Sequence, residues 1–126
     1  MISIIVPVYN EEKTLEKTLR CLAQLPGEKE ILIADGGSTD STRTIAEKEG
    51  ILLDTPKGRA RQMNEAAKQA RGEILWFVHS DSVVSENSLK AIQNAIQTGR
   101  IGGCFSLYFY DGKGFNLWWI ARLSNR

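Results

Sequence analysis

His79, Ser80 and Asp81 set an imidazole, a hydroxyl and a carboxylate in three successive positions, directly after the apolar run Ile74-Leu75-Trp76-Phe77-Val78. A carboxylate at the end of a buried strand can hold a hard divalent cation, move a proton or accept hydrogen bonds from a substrate. Two further polar clusters close apolar runs in the same way, Pro7-Val8-Tyr9-Asn10-Glu11 and Asp35-Gly36-Gly37-Ser38. A fourth, Lys57-Gly58-Arg59-Ala60-Arg61-Gln62, puts cations where a helix is expected to begin. Free amides and guanidinium groups at a helix start suit a phosphate or a flat base edge. The cations oppose the helix dipole, which favours a bound anion as their purpose. Each cluster also has a purely structural reading. Asn10 and Ser38 can cap helices, Asp35 can brace a Gly-rich turn, Asp81 can bond loop amides, and the basic cluster can be a solvated turn.

The elements that must position these residues follow from hydrophobic period. Ile2 to Val8, Glu30 to Ala34, Ile51 to Leu53 and Glu73 to Val78 read as short buried strands. Between them, Leu15, Leu19 and Leu22 fall at helical spacing after Asn10, and Ser38 or Asp40 opens a helix that Gly50 ends. Ala60, Met63, Ala67 and Ala70 predict a third helix, and Leu89, Ile92 and Ile96 a fourth. Phe105, Leu107 and Phe109 alternate with polar neighbours, as in a half-exposed edge strand that pairs antiparallel. Strands alternating with helices imply right-handed crossovers and a mostly parallel sheet, an α/β Rossmann-like domain. In such a sheet the three polar strand ends share one edge, where ligands bind.

Together the clusters form one combination. Tyr9 can stack on a nucleobase, Asp35 can accept hydrogen bonds from base or ribose, and Arg59 and Arg61 can meet base or phosphate. Asp81 can hold a divalent cation, magnesium or manganese, that bridges a diphosphate.

Composition sets the limits. The chain has 126 residues, 42% hydrophobic and 25% charged, with net charge +1. That is ordinary for one α/β domain and gives no global electrostatic case for nucleic acid. Cys21 and Cys104 have no metal-ligand spacing and read as buried free thiols of a reducing compartment. Ile2 to Val8 is too short and lacks the basic flank of a signal peptide, so a cytoplasmic location is expected. No Gly-x-Gly-x-x-Gly follows the first strand and no Walker lysine loop occurs, which argues against a dehydrogenase or a P-loop enzyme. Tyr9-Asn10-Glu11-Glu12 lacks the glycine-rich basic loop of sugar nucleotidyltransferases.

The motifs, in this order, resemble family 2 glycosyltransferases of the GT-A fold. Ile4-Ile5-Val6-Pro7-Val8-Tyr9-Asn10-Glu11-Glu12 is similar to that family's first strand and turn. Asp35-Gly36-Gly37-Ser38-Thr39-Asp40 resembles its second strand end, with glycine at position 36 where many members carry a second acid. His79-Ser80-Asp81 stands at the Asp-x-Asp position, with histidine replacing the first acid. With Gly102-Gly103-Cys104-Phe105 downstream, the pattern is most similar to a bacterial subgroup associated with radical-SAM and selenium-linked genes. The resemblance implies a nucleotide diphosphate sugar donor, a UDP-sugar first, and transfer to an unknown acceptor. It implies donor binding by Pro7, Tyr9, Glu11, Asp35, Arg59, Arg61 and Ser80, with Asp81 as metal ligand. Imidazole is a poorer ligand for magnesium than a carboxylate, so His79 reads first as a structural group and second as a ligand.

The family's carboxylate base lies in a later segment, so the resemblance covers the nucleotide-binding half. A non-catalytic nucleotide-sugar-binding module that needs a partner chain is the alternative. Residues 1–110 are expected to form the nucleotide-sugar-binding domain and 111–126 an apolar helix. Phe115 to Leu123 is apolar nearly all round, so that helix expects cover from the domain or from a second copy. Contact with the inner face of a membrane is the weaker expectation.

Overall fold

A computed structural model describes the backbone of residues 1–82, 84–108 and 114–121, and the side chains of 1–82 and 84–103. The elements are β1 (Ile2–Val8), α1 (Leu15–Ala23), β2 (Lys29–Asp35), α2 (Thr42–Glu49), β3 (Ile51–Asp54), α3 (Arg59–Gln69), β4 (Ile74–Phe77), α4 (Ser88–Gln97), β5 (Gly102–Tyr108) and β6 (Gly114–Ala121). They build a sheet of order β3-β2-β1-β4-β6-β5. β1, β2, β3 and β4 run parallel, while β6 pairs antiparallel with both β4 and β5. The chain moves outward from β1 to β3, then α3 carries it back to β4 on the other side of β1. That reversal is a topological switch point, where the strand ends splay and leave a crevice.

Strand period explains the two layers. In β1, Ile2, Ile4, Val6 and Val8 face one side, where they pack with Leu15, Leu19 and Leu22 of α1, Ala46 of α2, and Leu89 and Ile92 of α4. Ile5 faces the other side, with Leu32, Ala34 and Leu75 against Ala66 and Ala70. The sheet is therefore covered on both faces, as its continuous apolar runs predict. Trp76, fully buried, anchors the larger layer from β4.

Three local expectations are corrected. Asn10 does not cap α1, which begins at Leu15 after Thr14 and has no side-chain cap. Instead Asn10 sits at φ 49 and ties two loops together. Its N–H donates to Ser38 Oγ (2.8 Å), and its Oδ1 accepts from Thr39 N–H (2.8 Å). Asparagine tolerates that left-handed turn better than most residues. The buried stripe of α3 is Gln62 and Ala66 leading to Ala70, with Met63 and Ala67 half-buried beside it and Ala60 exposed. The apolar run after Gly114 is strand β6 over Gly114–Ala121, where a helix was expected. An apolar run without a polar face satisfies a strand inside a sheet as well as a covered helix, so period alone cannot separate them. β6 lies between β4 and β5, so the sheet runs across the expected boundary at 110/111. The expectations of a dimer or a membrane-surface contact rested on that helix and lose their basis. β5, the alternating segment, is the antiparallel edge strand. No helix among the described residues is long and apolar enough to cross a membrane.

Candidate functional site

Register brings the strand ends level. Val8 of β1 pairs with Asp35 of β2, and Asp35 with Asp54 of β3. On the other side of β1, Val78 N–H donates to the Ile5 carbonyl (2.9 Å), which leads His79 to Asp81 out at the same edge. The loops after β1 and β2 are laced together above this edge. Glu11 N–H donates to Thr42 Oγ1 (2.8 Å) and Ser41 N–H to Glu12 Oε2 (3.0 Å), beside the two Asn10 bonds.

A cleft of about 200 Å³ opens there, lined by Pro7, Val8, Tyr9, Glu11, Lys57, Gly58, Arg59 and Gln62. Its two walls are the turn after β1 and the turn into α3. Gly58, at φ 135, makes the second turn, a conformation that side-chain-bearing residues rarely adopt. Lys57 Nζ lies 4.0 Å from the centroid of the Tyr9 ring, a cation–π contact across the cleft. A larger depression of about 520 Å³ lies on the exposed side of α1, among Glu12, Lys13, Glu16, Lys17, Arg20, Cys21 and Gln24. Its charges alternate in sign along one helix surface, the pattern of a solvated face. The smaller cleft is where the candidate residues converge.

Four of the expected donor-binding residues meet in this cleft: Pro7, Tyr9, Glu11 and Arg59. Asp35 does not. Its side chain is fully buried, and its oxygens are taken within the fold. Ser38 Oγ donates to Oδ1 (2.5 Å), Ser38 N–H to both oxygens, Gly37 N–H to Oδ2 (3.3 Å), and Arg43 Nη1 to Oδ2 (2.8 Å). The expectation that Asp35 meets base or ribose directly is corrected: its carboxylate is spent on bracing the turn. Arg43 also reaches Asp54, and the hydrogen bonds to Asp54 and then Asp35 raise its already high pKa. Arg61 is exposed on the first turn of α3, outside the cleft lining. Ser80 is buried, and its carbonyl accepts from Thr18 Oγ1 (2.8 Å).

Asp81 is exposed between two buried serines. Thr18 Oγ1 reaches the carbonyl of Ser82 as well (3.0 Å), so α1 grips the chain on both sides of Asp81. His79 is half-buried and its pKa is lowered, by burial first and then by the charge of Arg59, while Asp81 pulls the other way. The imidazole therefore lies within electrostatic reach of the cleft cation and of the exposed carboxylate, and it favours the neutral form.

No group of three or more His, Cys, Asp or Glu side chains suited to a metal ion exists among the described residues. A closed protein cage is thus not built here. A hard cation that shares its shell with a diphosphate and water needs just one or two carboxylates from the protein. Asp81 fits that donor set.

Read from the sequence, Lys57 and Gln62 belong to the basic cluster without an individual role, and Thr18 and Arg43 are not marked as site residues. Gln62 and Thr18 had a signal, a polar group set on the buried stripe of a helix beside Ala66 and beside Leu15, Leu19 and Leu22. Such a residue is retained when its hydrogen bonds are satisfied inside.

The family model described as Glycosyl transferase family 2 matches residues 3–125. Among curated relatives, the poly(ribitol-phosphate) beta-N-acetylglucosaminyltransferase TarS of Staphylococcus aureus is 36% identical over 99 residues, 70% of this chain and 17% of TarS. The glycosyltransferase GlyG of Streptococcus pneumoniae is 32% identical over 131 residues, 96% of this chain and 44% of GlyG. The chain thus spans less than half the length of these relatives. The crystal structure of S. aureus TarS 1–349 superposes with TM-score 0.74 at 30% identity, covering 90% of this chain and 37% of that one. Its complex with UDP-GlcNAc gives 0.66 at 34% identity, covering 77% and 31%. The mannosyltransferase PcManGT from Pyrobaculum calidifontis, in complex with GDP-Man and Mn2+, gives 0.79 at 20% identity, covering 96% and 44%, and bears on the fold alone. With strands, motifs and family match in agreement over nearly the whole sequence, the chain belongs to glycosyl transferase family 2 and has the GT-A fold.

Proposed function

We propose that this chain forms the donor side of a glycosyltransferase, holding a nucleoside diphosphate sugar, first a UDP-sugar, for transfer to an acceptor. The observation that carries this reading is the cleft at the switch point, with an aromatic ring, two cations and the Asp81 loop at one sheet edge. The ring of Tyr9 offers the base a stacking face. Lys57 and Arg59 offer the diphosphate its countercharge, aided by the amides at the start of α3. Asp81, exposed and held by Thr18, is the ligand for manganese or magnesium shared with the diphosphate. Such an ion would offset the negative charge that develops on the departing diphosphate. Neutral His79 steadies the loop and is not needed as a ligand. Transfer also needs a base for the acceptor hydroxyl, and none is assigned among the described residues. The TarS complexes with UDP and UDP-GlcNAc, at 33–34% identity, support UDP as the favoured nucleotide.

Isothermal calorimetry tests this. UDP is expected to bind more tightly with manganese than without, and Asp81→Ala to abolish that difference while leaving the fold intact. Absence of UDP binding at any metal concentration overturns the reading.

A further inference from the structure

Gln62 is 4% exposed and spends its carboxamide on three separate pieces of backbone. Nε2 donates to the carbonyl of Val8, the last residue of β1 (2.8 Å), and to the carbonyl of Ala34 in β2 (2.8 Å). Oε1 accepts from Gly58 N–H in the turn that opens α3 (3.2 Å). A carboxamide is suited to this because one planar group carries two donors and an acceptor. Glutamate would set a carboxylate against two carbonyl oxygens. Methionine would leave the Gly58 N–H without this acceptor and take one donor from each carbonyl, Val8 keeping the Gly36 N–H (3.0 Å).

The same side chain occupies the space over Gly36. A Cβ at position 36 would stand 3.0 Å from Gln62 Cδ, 3.1 Å from Oε1 and 3.2 Å from Nε2. The missing side chain at 36 and the buried amide at 62 are two halves of one packing arrangement. Gln62 also lines the cleft, with the turn it holds carrying Lys57 and Arg59 on either side of Gly58.

We propose that Gln62 is a positioning residue for the anionic donor, pinning the Lys57–Arg59 turn to the ends of β1 and β2, and that Gly36 is its required partner. The proposal rests on the donor-site reading above. Without the pin, the turn is tied to the sheet through Thr55 and the Asp35 carbonyl but no longer at Gly58, and Lys57 and Arg59 no longer line the cleft in one geometry. A Cβ at 36 needs the amide to give by a few tenths of an ångström against the three hydrogen bonds that hold it, so a side chain there should act in the same direction.

The test uses the full chain, with calorimetry for UDP and manganese at temperatures where thermal melts show each variant folded. Gln62→Ala is expected to weaken UDP binding about tenfold, the equivalent of one lost charge-orienting contact. Gly36→Ala should do likewise, and the double variant should bind like Gln62→Ala alone, because the second change removes nothing further. Should Gln62→Ala fail to fold, Gln62→Met keeps the volume and carries the same expectation. Gln62→Glu adds a readout that a merely structural role would not move. In the folded protein its UDP affinity, relative to the parent, should recover as pH falls and its carboxyl regains a donor hydrogen. Folded Gln62 variants that bind UDP within about twofold of the parent, or effects of Gly36→Ala and Gln62→Ala that simply multiply, overturn the proposal. If the parent itself binds no UDP, the donor reading fails separately. Amide exchange at residues 57–59 then decides the pin: faster exchange in Gln62→Ala supports it, and unchanged exchange overturns it.

Discussion

The hydroxyl of Thr18, in the middle of α1, lies 2.8 Å from the carbonyl oxygen of Ser80, and both groups are buried. The same hydroxyl is 3.0 Å from the Ser82 carbonyl, so one side chain fixes the backbone on both sides of Asp81. Thr18→Val keeps the shape and removes the donor. It is expected to cost about 1–3 kcal/mol of stability, as two buried carbonyls lose the one hydroxyl hydrogen they share. Manganese-dependent UDP binding should fall more than metal-independent binding, because the loop that carries the ligand is loosened. Calorimetry with and without metal separates the two effects, and Thr18→Ser should retain both.

Arg43 joins the ends of β2 and β3 by bonding Asp35 (2.8 Å) and Asp54 with one nitrogen. Asp35 is fully buried, whereas the Asp54 side chain is 80% exposed, so the two contacts differ in worth. Arg43→Ala leaves a buried carboxylate supported by neutral donors alone and is expected to lower the thermal midpoint clearly. Asp54→Ala should change the thermal midpoint little, as exposed pairs contribute weakly. Equal losses in the two variants would contradict this ranking.

Tyr9 is 36% exposed with Lys57 over its ring. Stacking a base on that ring is worth about 1–3 kcal/mol in single-stranded nucleic-acid complexes, more than the 0.5–1 kcal/mol or so of an exposed cation–π contact. The base should therefore displace the ammonium toward the diphosphate. Tyr9→Ala is expected to weaken UDP at least about tenfold and Tyr9→Phe to leave it nearly unchanged. Lys57→Ala should weaken UDP more than uridine, measured by competition at low salt.

Gly72 marks the opposite edge of the sheet, where β4 begins. A Cβ there would come within 2.5 Å of Ser3 Oγ and 2.7 Å of the Met1 carbonyl and Ser3 nitrogen. Gly72 N–H also donates to Ser3 Oγ (2.8 Å), whose own hydrogen goes to Glu30 (2.6 Å). Gly72→Ala must push apart β1 and the turn into β4, at an expected cost of about 1–3 kcal/mol. Thermal melts check this. UDP affinity of the folded fraction should not change, since the cleft lies at the other end of the strands.

The sequence by itself determined the layered plan. Ile2 to Val8 and Ile74 to Val78 are apolar on both strand faces, so they had to be central and covered on two sides, with helices as crossovers. Parallel strands then carried Tyr9, Asp35 and Asp81 to one edge. What the sequence left undecided is which carboxylate meets solvent. Asp35 and Asp81 both follow an apolar strand, but Asp35 is enclosed by the turn it nucleates and by Arg43, a partner on another element. Asp81 is turned outward because Thr18 takes the carbonyls on either side of it. Gln62 was hidden for the same reason: its value lies in Val8, Ala34 and Gly36, which are distant in sequence and meet it through the packing of α3 on the sheet. The run after Gly114 likewise carries no periodic mark of strand or helix, and the choice of strand was made by the open edge of β4 that β6 pairs. Local pattern selects elements, while hydrogen-bond partners brought from afar select which of their side chains remain free to bind.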